Sequence, residues 1–394
     1  MSHEPVSYLG RTHFRNQRIP FGIRQPDRLS HLYVIGKTGV GKSSLLAALI
    51  LQDIEAGRGV ALVDPHGDLA ERVVAGIRDP HLARLVYLDA TDPSQPYGYN
   101  PLRRVRTDKI PLAASGLLET MRKLWPSAWG MRMEHVLRNC LYALLERDGS
   151  TLPDVLRLLS DEKFRKPLVS RIHNPVVRDF WKREFEPYPA RLKAEAIAPI
   201  QNKLGALLAD PMLYRLLVSP PVDLHFRQLM DEGRVLVVNL SKGEIGEDSA
   251  LVLGSLIVST IGLAAFSRGD MPEADRRPFF LYADEFQSFT TLSVASMLSE
   301  LRKYGLGMTL AHQYLHQLEP EILHAVLGNA GSLIAFRVGA EDAPVLAREL
   351  APPFGEADLT NLPNYRFYTR IMIDAAPSRP FSAALLPEGA LSRC

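Results

Sequence analysis

Gly36-Lys37-Thr38-Gly39-Val40-Gly41-Lys42-Ser43 constrains this chain more than any other stretch, because it fits the pattern G-x-x-x-x-G-K-[ST]. The glycines let successive backbone N–H groups converge on one point, and the positive end of the following helix adds its dipole, so the loop cradles phosphate oxygens. In such a loop Lys42 neutralises the outer phosphates and Ser43 offers its hydroxyl to Mg2+, with the cradle running on to Ser44. The apolar run LYVI leads in and the helical pattern SSLLAALILQDI leads out, the strand–loop–helix context the motif needs. A nucleoside-triphosphate site with Mg2+ is therefore expected.

Short β-branched or aromatic runs recur along the chain: Leu32–Ile35, Val60–Val63, Leu85–Leu88, Val235–Leu240, Phe279–Ala283, Met308–Ala311, Ser332–Phe336 and Phe367–Ile373. Amphipathic segments such as Ser43–Glu55 and Ser293–Tyr304 separate them, which predicts a mostly parallel α/β sheet. From about Asn100 to Leu229 the alternation lapses into helical patterns. The expected organisation is a basic N-terminal arm (1–29), a first sheet segment (30–101), an inserted all-α subdomain (102–230), a second sheet segment (231–375) and an irregular C-terminal tail (376–394). The fold class is α/β of the P-loop NTPase (RecA-like) kind with that all-α insert.

A second chemical feature is Pro278–Glu285, an apolar strand ending in the adjacent carboxylates Asp284 and Glu285. The C-terminal edge of such a strand faces the ligand crevice. Asp284 would hold Mg2+, and Glu285 would orient and deprotonate the attacking water. The next strand ends at His312-Gln313, where the Gln313 amide can sense the γ-phosphate. His312 and His316 form H-x-x-x-H, but Gln313 stands where a zinc protease helix needs a glutamate, so a zinc site is not expected. Asp64-Pro65-His66-Gly67-Asp68 can likewise be read as metal ligands, but a turn closing the second strand, near the nucleotide, is the better reading. Phosphoryl transfer also calls for an extra positive charge. Arg302, Lys303 and Arg337 are candidates, each also readable as an ordinary surface or ion-paired residue.

Bulk charge selects no partner, since 46 Lys and Arg face 44 Asp and Glu. The distribution is less even: residues 102–230 hold 22 Lys and Arg against 14 Asp and Glu, a net +8 that leaves −6 on the remainder. A basic insert suits nucleic acid, though solvated helices explain it equally. Arg11, Arg15, Arg18, Arg24 and Arg28 form a second basic cluster, read either as a reaching arm or as solvated residues. Cys140 and Cys394 cannot build a disulfide framework and suit a reducing compartment. The uncharged stretch 249–267 is nearly long enough to cross a membrane but is diluted by Ser, Thr and Gly, so a buried helix is expected.

Taken in order, GKTGVGKSS, GVALVDPHGDL, YNPL, the helical insert, VLVVNLSKGEIGE, FFLYADEFQSF, SELRKYGLGMTLAHQYLHQL and NAGSLIAFRVGAEDA resemble the HerA/FtsK superfamily. Within it the similarity is greatest to the ATPase domains of conjugative coupling proteins of type IV secretion (TraG/TraD type), over about residues 20 to 375. The resemblance implies hexameric rings that hydrolyse ATP at subunit interfaces and move DNA through a central pore. It places Lys42, Ser43, Asp284, Glu285 and Gln313 in the roles given above, and Arg302 where coupling ATPases carry a trans-acting arginine. The insert would correspond to their substrate-engaging all-α domain. No transmembrane helices or barrel precede the first strand here, so the expectation is a cytoplasmic motor that works with a separately encoded membrane or nuclease partner. Two alternatives keep the nucleotide site and change what it drives. One is an ATP-driven protein translocase or remodeller, the other a nucleotide-gated scaffold for an effector.

Overall fold

The computed structural model describes residues 6–14 and 17–386, so Arg15 and Cys394 lie outside the described residues. Its main sheet has eleven strands: β1 (Val6–Thr12), β2 (Pro20–Arg24), β3 (Leu32–Ile35), β4 (Gly59–Asp64), β5 (Leu85–Asp89), β6 (Val235–Asn239), β7 (Phe279–Ala283), β8 (Leu306–His312), β9 (Ser332–Ala335), β10 (Arg366–Arg370) and β11 (Phe381–Ala384). Their order across the sheet is β2-β1-β11-β10-β9-β3-β8-β7-β4-β6-β5. The seven from β9 to β5 are parallel. The other four extend the sheet antiparallel.

The parallel strands are short and buried on both faces, as their unbroken apolar runs require. In β7, Phe279, Leu281 and Ala283 enter one apolar cluster while Phe280 and Tyr282 enter the other. The helices Lys42–Glu55 and Asp68–Gly76 cover the second face. The first face carries the helical segment between β5 and β6 together with the helices Glu247–Ser267 and Leu292–Leu301. Between β5 and β6 the described residues form helices and turns, apart from the two-residue strands Tyr97–Gly98 and Val222–Asp223.

The Glu247–Ser267 helix is long and apolar enough to cross a membrane, yet 67% of its apolar window is buried inside the protein. Its small residues serve close packing, for the Phe289 ring lies against Gly254.

Both ends of the described chain depart from expectation. The segment read as an arm contributes β1 and β2, and Arg28 is buried rather than reaching outward. Arg28 makes a two-pronged ion pair with Asp53 at 2.5 and 3.0 Å, donates to Tyr282 Oη at 2.6 Å and lies 4.0 Å over the Phe280 ring. The segment read as an irregular tail supplies β11, inserted between β1 and β10. β1 and β11 approach closely at Gly10, where a Cβ would stand 2.5 Å from the Ala384 carbonyl oxygen, which accounts for a glycine inside that strand.

Candidate functional site

The C-terminal ends of β3, β4, β7 and β8 meet at one edge of the parallel sheet, and a cavity of about 400 Å3 opens there. Gly36–Gly41 links β3 to the Lys42–Glu55 helix, with Gly39 and Gly41 at φ of 77° and 117°. Only glycine takes such a backbone cheaply, and a Cβ at Gly41 would also come within 2.9 Å of the Tyr365 ring. The loop is held from both sides. The Lys37 amide donates to the Arg337 carbonyl at 2.9 Å, and the Tyr365 amide donates to the Val40 carbonyl at 2.8 Å.

Lys42 folds back over this loop, its Nζ donating to the carbonyls of Gly36 at 2.5 Å and Lys37 at 3.1 Å. Burial lowers its pKa, opposed by the nearby Glu285 and Asp284 carboxylates. Thr38, Gly39, Gly41, Lys42, Ser43 and Ser44 all line the cavity.

Opposite stand Asp284 and Glu285, both buried at the end of β7. Burial, with Asp64 and Glu285 adding like charge, pushes the Asp284 carboxyl up to about 7. Asp64 is committed to its own turn: one oxygen accepts from the His66 amide and the other from the Ala70 amide, each at 2.9 Å. Glu285 sits in the left-handed region at φ 47°, unusual for a side chain of its kind, which points to a demand for placement. Its two oxygens are held separately, Oε1 by Gln313 Nε2 at 2.7 Å and Oε2 by Gln287 Nε2 at 2.6 Å. The other end of the Gln313 amide accepts from Thr38 Oγ1 at 3.0 Å, so one amide bridges the phosphate loop to Glu285.

Four carboxylates, those of Asp64, Asp68, Asp284 and Glu285, line the cavity against Lys42 and Arg72, which leaves it short of positive charge. The oxygen donors Asp284 and Ser43 therefore fit a hard divalent cation such as Mg2+.

His312 is fully buried, with Nε2 2.5 Å from Tyr33 Oη, and burial lowers its pKa to about 3. His316 is exposed and faces Glu341 at 3.7 Å, and no cluster of metal-binding side chains occurs among the described residues.

The three candidate cations are not gathered here. Arg302 and Lys303 are exposed in a turn just before β8, at the sheet edge opposite the cavity. Arg337 follows β9 and donates to the Leu362 carbonyl at 3.1 Å, while its own carbonyl supports the phosphate loop. Two cavity residues escape sequence reasoning. Arg72, on the Asp68–Gly76 helix, donates to Ser44 Oγ at 3.2 Å, and Tyr365 packs on Gly41 from the loop before β10. Neither lies in a motif, and only the folded sheet brings them near Gly41.

The family model described as the central domain of the helicase HerA matches residues 8–261. No curated protein matches the chain. Among solved structures, the plasmid coupling protein TrwB in complex with the ATP analogue ADPNP is similar with a TM-score of 0.66 at 18% identity, covering 98% of this chain and 90% of that one. TrwB in complex with ADP and Mg2+ gives 0.65 at 17%, covering 97% and 95%. VirB4 of Thermoanaerobacter pseudethanolicus gives 0.69 at 14%, covering 100% and 99%. At these identities the likeness speaks to the fold. With its phosphate loop, its paired carboxylates and a family match over well more than half its length, the chain is a P-loop ATPase and belongs to the HerA central-domain family.

Proposed function

We propose that this protein is a ring-forming, most simply hexameric, ATP-hydrolysing motor that translocates DNA through a central pore. The observation that carries the reading is the single cavity in which Lys42 faces Glu285 while Gln313 joins Glu285 to Thr38. The phosphates of ATP would lie along Gly36–Ser44, and Asp284 with Ser43 would hold Mg2+. That ion supplies charge neutralisation at the β- and γ-phosphates when bound. Glu285 takes the proton of the attacking water, and two amides fix its carboxylate so that little reorganisation is needed. Gln313 reports the γ-phosphate through the Glu285 and Thr38 bonds.

The exposed Arg302, facing away from its own cavity, suits service in a neighbouring subunit's site, with Lys303 beside it. The net +8 of residues 102–230 suits contact with a phosphate backbone, which carries no sequence information and so serves a motor. The setting is the cytoplasm, with recruitment by a separately encoded membrane or nuclease partner.

ATP turnover with no nucleic acid, with single-stranded DNA and with duplex DNA tests this, with Glu285→Gln as the blank. Stimulation above the blank by either DNA is the expected result. Turnover indifferent to DNA overturns the DNA motor and leaves a protein cargo or a partner-activated ring.

A further inference from the structure

The turn that carries Glu285 is held from outside the sheet. After Glu285 the chain runs through a tight turn, Phe286–Ser288, to Thr291, whose hydroxyl caps the Leu292–Leu301 helix. Within that turn the Phe286 carbonyl accepts the amides of both Phe289 and Thr290. The carbonyls of Gln287, Ser288 and Thr290 instead converge on one ammonium. Lys123 Nζ donates to them at 2.5, 3.1 and 2.9 Å, which uses all three of its protons.

Lys123 does not belong to the sheet. It lies in the last turn of the Ile110–Leu124 helix, within the helical segment between β5 and β6. Burial lowers its pKa to about 8, so the ammonium is largely withdrawn from water and the three carbonyls are its compensation. Gln287, whose carbonyl it grips, is also the residue whose side-chain amide holds Glu285 Oε2. The Gln287 Oε1 is buried and has no hydrogen-bond partner among the described residues, so the amide is oriented by Glu285 and by its own backbone. A continuous path of bonds therefore runs from the helical segment through Lys123 and Gln287 to Glu285.

We propose that Lys123 is a positioning residue through which the helical insert sets the place of the Glu285 carboxylate and so gates hydrolysis. This rests on the reading of Glu285 as the base. Without the ammonium, three carbonyls point at one another with no donor between them, and the turn relaxes. Gln287 then no longer presents its amide to Glu285. Nucleotide binding, which depends on Gly36–Ser44, is left in place. A load on the helical segment that shifts the Ile110–Leu124 helix acts on hydrolysis by the same route.

The test uses the full chain with Lys123→Met, Gln287→Leu and the double variant, measuring kcat, KM, affinity for a fluorescent ATP analogue and thermal midpoint. A catalytic group misplaced by about 1 Å costs on the order of 100-fold in rate. Each single variant is therefore expected to lose about 10- to 100-fold in kcat, with analogue affinity within about threefold of the parent. Because both residues act on one carboxylate, the double variant should fall no further than the worse single one. Unchanged kcat in Lys123→Met overturns the proposal, as do losses that multiply in the double variant. Should Lys123→Met fold poorly, Gln287→Leu with parental kcat and a normal thermal midpoint is sufficient to overturn it. Failure of the underlying reading looks different, since Glu285→Gln would then hydrolyse ATP as fast as the parent.

Discussion

Acidification should weaken the fold through His31, at the sheet edge remote from the nucleotide cavity. His31 Nε2 lies 2.8 Å from the Leu298 carbonyl, and Nδ1 lies 3.0 Å from the Met308 amide that donates to it. The first contact places the ring proton on Nε2, and the second leaves Nδ1 as an acceptor, so the neutral ring is fully used. A second proton would set an N–H against an amide N–H. Burial, helped by the charge of Arg302 and opposed by the Leu298 hydrogen bond, holds the pKa at about 4 against 6.5 for the free side chain.

The unfolded chain therefore binds the proton first. The neutral ring's contribution is complete above about pH 6.5 and is lost as the pH falls toward 4, totalling about 3 kcal/mol. Between pH 7.5 and 5 the share lost is about 2 kcal/mol. Urea unfolding of the parent and of His31→Asn at those two pH values measures it, asparagine being chosen because His31 sits at φ 65°. The variant should be less stable at pH 7.5 but lose about 2 kcal/mol less on acidification. Equal acid losses in both proteins would refute the assignment of a neutral, doubly bonded imidazole. His312, held at about 3, contributes in the same direction in both proteins and cancels in the comparison.

Two further substitutions separate binding from turnover. Lys42→Ala removes the ammonium that closes over the phosphate loop and should abolish binding of a fluorescent ATP analogue, measured by anisotropy. Arg302→Ala should lose turnover by about 10³-fold while keeping nucleotide affinity, as expected of a charge supplied to a neighbour's site. Normal turnover in that variant would pass the role to Lys303 or Arg337.

The parallel half of this fold is legible because its central strands are buried on both faces, and continuous apolar runs such as Val60–Val63 have no other common explanation. Lys42, Asp284, Glu285 and Gln313 are legible for a related reason: each lies in a short motif that follows such a run, so finding the run finds the site. The antiparallel half is hidden because its strands alternate and are rich in Arg, Gly and Ala. In β1, Ser7 and Leu9 are buried while Tyr8 between them and Arg11 beyond are only partly covered, a pattern that an arginine count reads as an arm. Lys123 and Tyr365 are hidden more deeply, since their meaning lies in backbone atoms distant in sequence.

The strand order also dictates when this protein can fold. β3 lies between β9 and β8, β4 lies between β7 and β6, and β5 borders only β6. Thus no parallel strand from before the helical segment pairs with another from before it. As the chain leaves the ribosome, β4 and β5 must wait through more than 140 residues for β6, and β3 waits longer still, until β8 emerges. The helical segment, built from local contacts, meanwhile forms without them. Non-local pairing is slow and exposes strand edges to other chains, so the interval between synthesis of β5 and β9 is where aggregation and chaperone binding should concentrate. Joining the first described strand to the last, the β1–β11 pair closes the sheet as a final step.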